Sequence, residues 1–250
     1  MNIENSVIFI TGANRGIGKA YVEAFLAAGA AKIYLGVRKP ESVSEMVAQN
    51  SDRLIPLKLD VTNESDIKAA AEEAQDITIL VNNAGILFFD DVHSADAIDH
   101  ARKQMEVNYF GVLAMTQAFA PILKANGGGV IVNLSSIVGH VTMPAITTYC
   151  ASKYAVQSLI LASRASLAAQ GTQVIGVYPG PIDTDMAHDL EMDKFPPEQV
   201  AKETLKAIES STEDVFTDPF SQSLYQQFRT DPKAVEAQMK EMAQEDQEAA

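Results

Sequence analysis

Tyr149 and Lys153 stand four positions apart in a stretch, Tyr149–Ala169, whose apolar residues recur with helical spacing. Side chains at that separation project from one helix face, one turn apart. An ammonium held near a phenol favours the phenolate. At about 4 Å and an effective dielectric of about 20 the attraction is about 4 kcal/mol, enough to bring a phenol from about 10 towards neutrality. Tyr149 is therefore predicted to work as a general acid/base, protonating a developing alkoxide in a reduction. Ser135 and Ser136 follow the apolar run Val130–Leu134, and a serine hydroxyl there can donate to a substrate carbonyl as an oxyanion partner. Asn108 falls inside a predicted helix, Ala97–Ala125, where a buried amide must find hydrogen-bond partners. The single cysteine, Cys150, adjoins Tyr149 but reads as a small buried packer, and alone it forms neither an internal disulfide nor a metal cluster. His93, His100, His140 and His188 are scattered without an accompanying carboxylate cluster, so no metal site is predicted.

A second group of residues is suited to holding a phosphorylated cofactor. Thr11-Gly12-Ala13-Asn14-Arg15-Gly16-Ile17-Gly18 follows the apolar run Val7–Ile10 and passes directly into the helical pattern Gly16–Ala28. A tight turn into a helix start offers backbone N–H groups and the positive end of the helix dipole to a pyrophosphate, and small residues let it approach. The next strand pattern ends in Gly36-Val37-Arg38-Lys39, with no acid at its tip to take a ribose 2′-hydroxyl. Arg38 can instead pair with a 2′-phosphate in the bidentate geometry that guanidinium favours. Arg15 adds a second cation, while Lys39 reads as exposed. The cofactor expected from these residues is NADP(H) in preference to NAD(H).

Positioning such residues calls for a particular scaffold. Apolar, β-rich runs recur at Val7–Ile10, Lys32–Val37, Leu54–Leu59, Ile77–Val81, Val130–Leu134, Val174–Tyr178 and Val215–Thr217. Helical patterns separate them at Gly16–Ala28, Glu41–Gln49, Glu64–Ala74, Ala97–Ala125, Tyr149–Ala169 and Pro197–Glu209. Strands alternating with helices predict parallel crossovers, and continuously apolar strands predict a sheet covered on both faces. The expected fold is α/β, a doubly wound Rossmann-type sheet of about seven parallel strands in a single domain over residues 1–250. The acidic segment 219–250 is expected as a helical C-terminal extension of the same domain. Within it Ser221–Gln247 reads as one or two helices, with Asp231-Pro232 opening the last.

Taken in order, these motifs resemble those of the short-chain dehydrogenase/reductase family, in its compact subgroup of about 250 residues, across roughly Ser6 to Glu209. Thr11–Gly18 is similar to the family's cofactor turn, Asp60-Val61 to its adenine contact, and Asn82-Asn83-Ala84-Gly85 to the segment after its fourth strand. Asn108, Ser136, Tyr149 and Lys153 fall where the family keeps a catalytic tetrad, and its serine-to-tyrosine spacing selects Ser136 over Ser135. Pro179-Gly180, with Ile182 and Thr184, resembles the segment that holds the nicotinamide carboxamide. The resemblance implies that Lys153 also grips the nicotinamide ribose and that Asn108 holds a water relaying protons from the lysine. It implies a homodimer through Ala97–Ala125 and Tyr149–Ala169, or a homotetramer, although the acidic C-terminal sequence departs from the glycine-containing tail of many tetrameric members.

The implied activity is oxidoreduction of a small-molecule carbonyl or alcohol, as a carbonyl reductase or, in reverse, an alcohol dehydrogenase. Leu87, Phe88, Phe89, Val138, Val141, Met143, Met186, Leu190 and Phe195 are candidates to wall an apolar or aromatic substrate, and Asp183–Phe195 is short for a substrate lid, which points to an open site accepting varied carbonyls. Two other readings are a catalytically silent, NADP(H)-sensing regulator and a 3-ketoacyl-thioester reductase. The second calls for a basic docking patch, and no dense Lys/Arg cluster is present. A net charge of −14 argues against nucleic acid as a partner. No apolar run approaches the roughly 20 residues of a membrane span, and Met1–Asn5 leads into a strand pattern rather than a secretory signal. The expected location is the cytoplasm, with no membrane partner.

Overall fold

The computed structural model describes residues 1–188 and 190–249. Its strands are β1 (Val7–Thr11), β2 (Lys32–Val37), β3 (Leu54–Lys58), β4 (Ile79–Asn82), β5 (Gly129–Leu134), β6 (Thr172–Val177) and β7 (Asp214–Val215). All pair in parallel, in the order β3-β2-β1-β4-β5-β6-β7. The helices are α1 (Gly16–Ala27), α2 (Ser44–Gln49), α3 (Glu64–Glu73), α4 (Ala97–Gln104), α5 (Gly111–Ala125), α6 (Thr147–Leu167), α7 (Pro197–Ser210), α8 (Pro219–Thr230) and α9 (Pro232–Ala249). The chain builds outwards from β1 to β3, then returns to the other side of β1 to lay down β4. That reversal opens a crevice at the C-terminal ends of β1 and β4, where this fold takes its ligands.

The apolar strands follow from burial on both sides. Ile8 and Ile10 enter one core with Tyr21, Val22 and Phe25 of α1 and Val200 and Ala201 of α7. Phe9, between them, enters the opposite core with Met115 and Phe119 of α5 and Val156 and Ile160 of α6. Successive residues thus need to be apolar, which removes the alternation a one-sided sheet would show. The Phe9 and Phe119 rings meet at 4.9 Å between centroids, within the range of favourable aromatic pairs. Tyr21, fully buried, satisfies its hydroxyl with Thr204 Oγ1 at 2.9 Å, joining α1 to α7.

The single helix predicted over Ala97–Ala125 is interrupted. Met105–Phe110 forms a π-helical turn between α4 and α5, the kind of local widening that recurs at functional sites. Gly111, at its exit, lies where a Cβ would stand 2.8 Å from Val61 Cγ2, so the close approach requires glycine. The last strand is shorter than predicted and earlier, because only Asp214 and Val215 pair with β6. Thr217 instead leads into a capping box in which Asp218 Oδ1 accepts from Ser221 N. Asp231 Oδ1 accepts from Lys233 N and Ala234 N, the N-terminal cap expected of the last helix. Leu224 of α8 and Val235 of α9 pack in a third cluster with Ile146 and Cys150 at the start of α6, while Ala250 of the segment 219–250 lies outside the described residues. No described helix is long and apolar enough to cross a membrane.

Phe119 fills the centre of one core and is 0% exposed, whereas Val92 is 77% exposed. Phe119→Ala is expected to cost about 3–5 kcal/mol through lost burial and a residual cavity, and Val92→Ala under about 0.5 kcal/mol. Denaturant unfolding of both variants checks this, and equal losses would contradict the assignment of the core.

Candidate active site

The glycine-rich turn after β1 takes its shape from backbone geometry. Gly12 and Gly16 have φ of 68° and 52°, conformations that side chains disfavour. A Cβ on Gly18 would lie 2.1 Å from Gly12 O, so α1 can approach the turn only through glycine. Arg15, at the N-cap of α1, is extended and makes no side-chain cap, which leaves first-turn N–H groups available to an anion. The turn is held from β4. Thr11 Oγ1 accepts from Asn83 N and Ala84 N at 2.9 Å each, and Asn83 Nδ2 donates to Thr11 O at 2.8 Å and Gly12 O at 3.1 Å. The Asn83 side chain, predicted to touch a cofactor, is thus engaged in shaping the turn.

Around this turn lies a cavity of about 360 Å³. Gly12, Asn14, Arg15, Gly16, Ile17, Gly18, Arg38, Asp60, Val61, Asn83, Ala84 and Gly85 line it, with Ser136, Tyr149, Lys153, Pro179, Gly180, Ile182 and Thr184. Of the predicted catalytic and cofactor-binding residues, Asn108 stands behind the wall, 1% exposed on the π-helical turn. Its Oδ1 accepts from Ile86 N at 2.9 Å, and its Nδ2 donates to Ile86 O at 2.9 Å and Ser152 Oγ at 3.0 Å. The partners a buried amide requires are therefore the loop after β4 and helix α6.

Electrostatics at Tyr149 reverse the expectation drawn from spacing. Lys153 lies one turn on, but its Nζ donates to Leu134 O at 2.9 Å and stands 5.5 Å from the centroid of the Tyr149 ring. Burial pulls the ammonium down to about 8, and burial, with Cys150 adding in the same direction, pushes the Tyr149 phenol up rather than down. Desolvation outweighs the attraction because both groups leave water and the ammonium is not bonded to the phenol oxygen. At neutral pH Tyr149 is accordingly a protonated phenol. Cys150 is buried, and its thiol is pushed up to about 11, mainly by burial, as a packing residue requires. Ser136 Oγ donates to Pro179 O and accepts from Val138 N, both at 3.3 Å, long contacts that a better acceptor can replace. Ser135 Oγ is buried without a partner.

At the other end, Arg38 is exposed on the cavity rim and its charge reaches Asp60. Burial opposes the charge on Asp60, but hydrogen bonds from Thr62 N and Oγ1, with Arg38 and Lys58 nearby, hold the carboxyl below its ordinary value. Arg15 Nη1 reaches Asp185 Oδ2 at 2.7 Å across the mouth. Both side chains are exposed, and such a pair contributes about 0–1 kcal/mol, so a phosphate can displace the carboxylate.

Of the predicted substrate walls, Leu87, Val138, Met143, Met186 and Leu190 line the cavity. Four do not. Phe88 stacks on His100 at 4.4 Å, Phe89 is 40% exposed, Val141 is buried in the third cluster, and Phe195 packs against the larger core. The segment Asp183–Phe195, read as short for a lid, contains Asp189, which lies outside the described residues. The structure adds Ile146, Met192 and, from α8, Phe220. The signal for Phe220 was present in Asp218 and Ser221. A capped helix start just after the last strand opens at the C-terminal edge of the sheet, the same edge as the cavity.

A family profile described as short chain dehydrogenase matches residues 6–194. A crystal structure of a short chain dehydrogenase from Burkholderia cenocepacia in complex with NADP is 39% identical. It superposes with a TM-score of 0.91, covering 96% of this chain and 99% of that one. Short chain dehydrogenase tazN of Aspergillus terreus is 33% identical over 197 residues, 74% of this chain and 43% of its own length. Dehydrogenase/reductase SDR family member 7B of Mus musculus is 33% identical over 195 residues, 74% of this chain and 60% of its own length. The chain thus spans roughly half the length of these two relatives.

The buried ammonium carries a stability cost. A fall from 10.5 to about 8 corresponds to about 3 kcal/mol. Between those values the unfolded chain binds more protons than the folded one, so this contribution makes stability rise with pH. Below pH 8 the penalty is present in full. Lys153→Met is expected to raise the Tm of the nucleotide-free protein at pH 7 by about 6–12 °C. Its advantage should shrink as pH climbs from about 8 towards about 10.5. Thermal melts of both proteins across that range decide it: a pH-independent difference would show that Lys153 is not a strained cation.

Proposed function

The chain belongs to the short-chain dehydrogenase family, and on that premise we propose that it is an NADP(H)-dependent carbonyl reductase for apolar or aromatic ketones and aldehydes. The chain is an oxidoreductase acting on CH–OH and C=O groups with a nicotinamide cofactor. One observation carries the finer reading: the same cavity has cations and an uncapped helix start at one end, Ser136, Tyr149 and Lys153 at the other, and an apolar wall beside them.

Cofactor preference rests on Arg38 and Arg15. No acid stands at the tip of β2 to select a 2′-hydroxyl, and two guanidinium groups on the rim suit a 2′-phosphate. The 39% identical relative was crystallised with NADP, which agrees with this choice. Residues 12–18 would hold the pyrophosphate on the N–H groups of α1, and Pro179, Gly180, Ile182 and Thr184 the nicotinamide. The cofactor supplies the hydride to the carbonyl carbon.

The protein's part is to place the carbonyl and manage its proton. Ser136 Oγ turns its hydrogen from Pro179 O to the carbonyl oxygen, stabilising charge as it develops there. Tyr149, a phenol that is protonated at neutral pH and that desolvation pushes further up, gives its hydroxyl proton to that oxygen. Lys153, with an ordinary proton affinity brought near neutrality, stabilises the phenolate left behind. Met143, Met186 and Met192 give the wall a deformable lining that accommodates varied apolar shapes. Ile98, Phe110, Tyr154 and Leu161 expose large apolar groups on α4, the π-helical turn and α6, and we assign this face to a homodimer. The cytoplasm remains the proposed location.

Loss of reduced-cofactor absorbance on mixing protein, NADPH and a panel of aryl ketones and aldehydes tests the activity. Binding without turnover of any member would favour a silent sensor instead. Tyr149→Phe is expected to lower kcat by at least about a thousandfold with NADPH affinity nearly unchanged, and a rate near that of the wild type would remove Tyr149 from the mechanism. Arg38→Asp should shift the NADPH/NADH ratio of kcat/KM by at least about tenfold towards NADH; an unmoved ratio would show that Arg38 does not read the 2′-phosphate.

A further inference from the structure

Helix α6 begins without a cap of its own. Its N-cap residue is Ile146, whose side chain accepts no hydrogen bond, yet the first N–H groups of a helix need acceptors. Tyr149 is the third residue of this helix, so whatever supplies those acceptors sets where the phenol stands. The supplier is Asp90, on the loop after β4. Its backbone oxygen accepts from Thr147 N at 3.1 Å, and its N–H donates to Ala145 O at 3.0 Å. Its Oδ1 accepts from Thr148 N at 3.0 Å, and its Oδ2 from the Thr148 hydroxyl. His100 Nδ1 stands 3.3 Å from the same Oδ2. The Asp90 side chain is 0% exposed and faces the positive end of the α6 dipole.

The arrangement repeats along the two helices. His100, Gln104 and Asn108 follow at intervals of four on α4 and the π-helical turn. Gln104, fully buried, donates to the Thr148 hydroxyl and accepts from Phe88 N at 3.2 Å. Asn108 donates to Ser152 Oγ, four residues after Thr148, and Ser152 Oγ donates to Tyr149 O at 2.7 Å. A ladder of buried polar groups therefore fastens the start of α6 to α4 and to the loop after β4.

We propose that Asp90 is a positioning residue for the reductase chemistry: acting through Thr148, with Gln104 as second support, it fixes the start of α6 and hence the placement of the Tyr149 hydroxyl against Ser136 and Lys153. The proposal rests on the reductase reading. A misplacement of about 1 Å at a reacting group can cost about a hundredfold in rate, so such an anchor acts on kcat rather than on cofactor affinity.

Thr148→Val removes the hydroxyl at nearly constant shape, Thr148→Ser restores it, and Asp90→Asn keeps the shape but removes one acceptor oxygen. Thr148→Val and Asp90→Asn are expected to lower kcat by about tenfold or more, leave the KM for NADPH within about twofold and displace the pH profile of kcat. Thr148→Ser should recover the wild-type profile. Hydrogen exchange on the nucleotide-free proteins should show the amides of residues 147–150 opening about tenfold faster in the first two variants, with the sheet unaffected. A kcat within about twofold of the wild type and an unmoved pH profile in both variants would overturn the proposal, even if exchange quickened. If the wild type reduces no carbonyl, the reductase reading fails by itself, and exchange alone then decides: unchanged protection at 147–150 in both variants would overturn the anchor.

Discussion

The cavity exists because the ends of β1 and β4 are tied together through backbone atoms rather than filled by side chains. Where the strand order reverses, helices leave the sheet on opposite sides and the gap has no natural occupant. Asn83 reaches across to the carbonyls of Thr11 and Gly12, and Thr11 returns two acceptor contacts to the amides of Asn83 and Ala84. These bonds hold a turn with two left-handed glycines and an α1 start that no side chain caps. Everything placed around the crevice depends on that spacing, from Arg38 just after β2 to Tyr149 on α6.

A second constraint governs the chemical end. Lys153 brings a charge into the interior and finds one protein acceptor, the carbonyl of Leu134 at the end of β5. Both it and the phenol above it lose water, so each shifts towards its neutral form. For a proton donor to an alkoxide this is the useful direction, since a phenol already ionised has no proton to give. The arrangement sacrifices stability in the nucleotide-free protein to obtain a lysine with a proton affinity near the working pH.

Helix α6 must then be held still, and at its start the means is polar as well as apolar. Its hydrophobic contacts with the core through Val156 and Ile160 lie one to two turns beyond Tyr149 and Lys153. Near Tyr149, beside the apolar packing of Ile146 and Cys150 in the third cluster, the polar contacts are Asp90, Gln104 and Asn108, all buried and all satisfied by groups of known direction. Hydrogen bonds specify position more sharply than packing does, because their geometry degrades quickly with displacement. The π-helical turn that carries Asn108 belongs to the same solution.

What the sequence determined by itself was local or periodic. The turn Thr11–Gly18 is legible because positive φ and a helix start are properties of adjacent residues, and the doubly wound sheet because two-sided burial writes continuous apolar runs between helical ones. The spacing of Tyr149 and Lys153 established that they share a helix face. Tertiary structure decided the rest. It set the sign of the shift at Tyr149, since spacing gives a direction in space but not the loss of water. It brought Asp185 to Arg15 and Asp90 to Thr148, pairs separated by 170 and 58 positions with no local pattern linking them, and Phe220 to the cavity wall. It also broke Ala97–Ala125 at Met105–Phe110, where the helix gives up regularity so that a buried amide can reach Ile86 and Ser152 together. Chain neighbours fix which groups are present and which way they face; only the packed fold fixes what surrounds them, and proton affinity and position both follow from the surroundings.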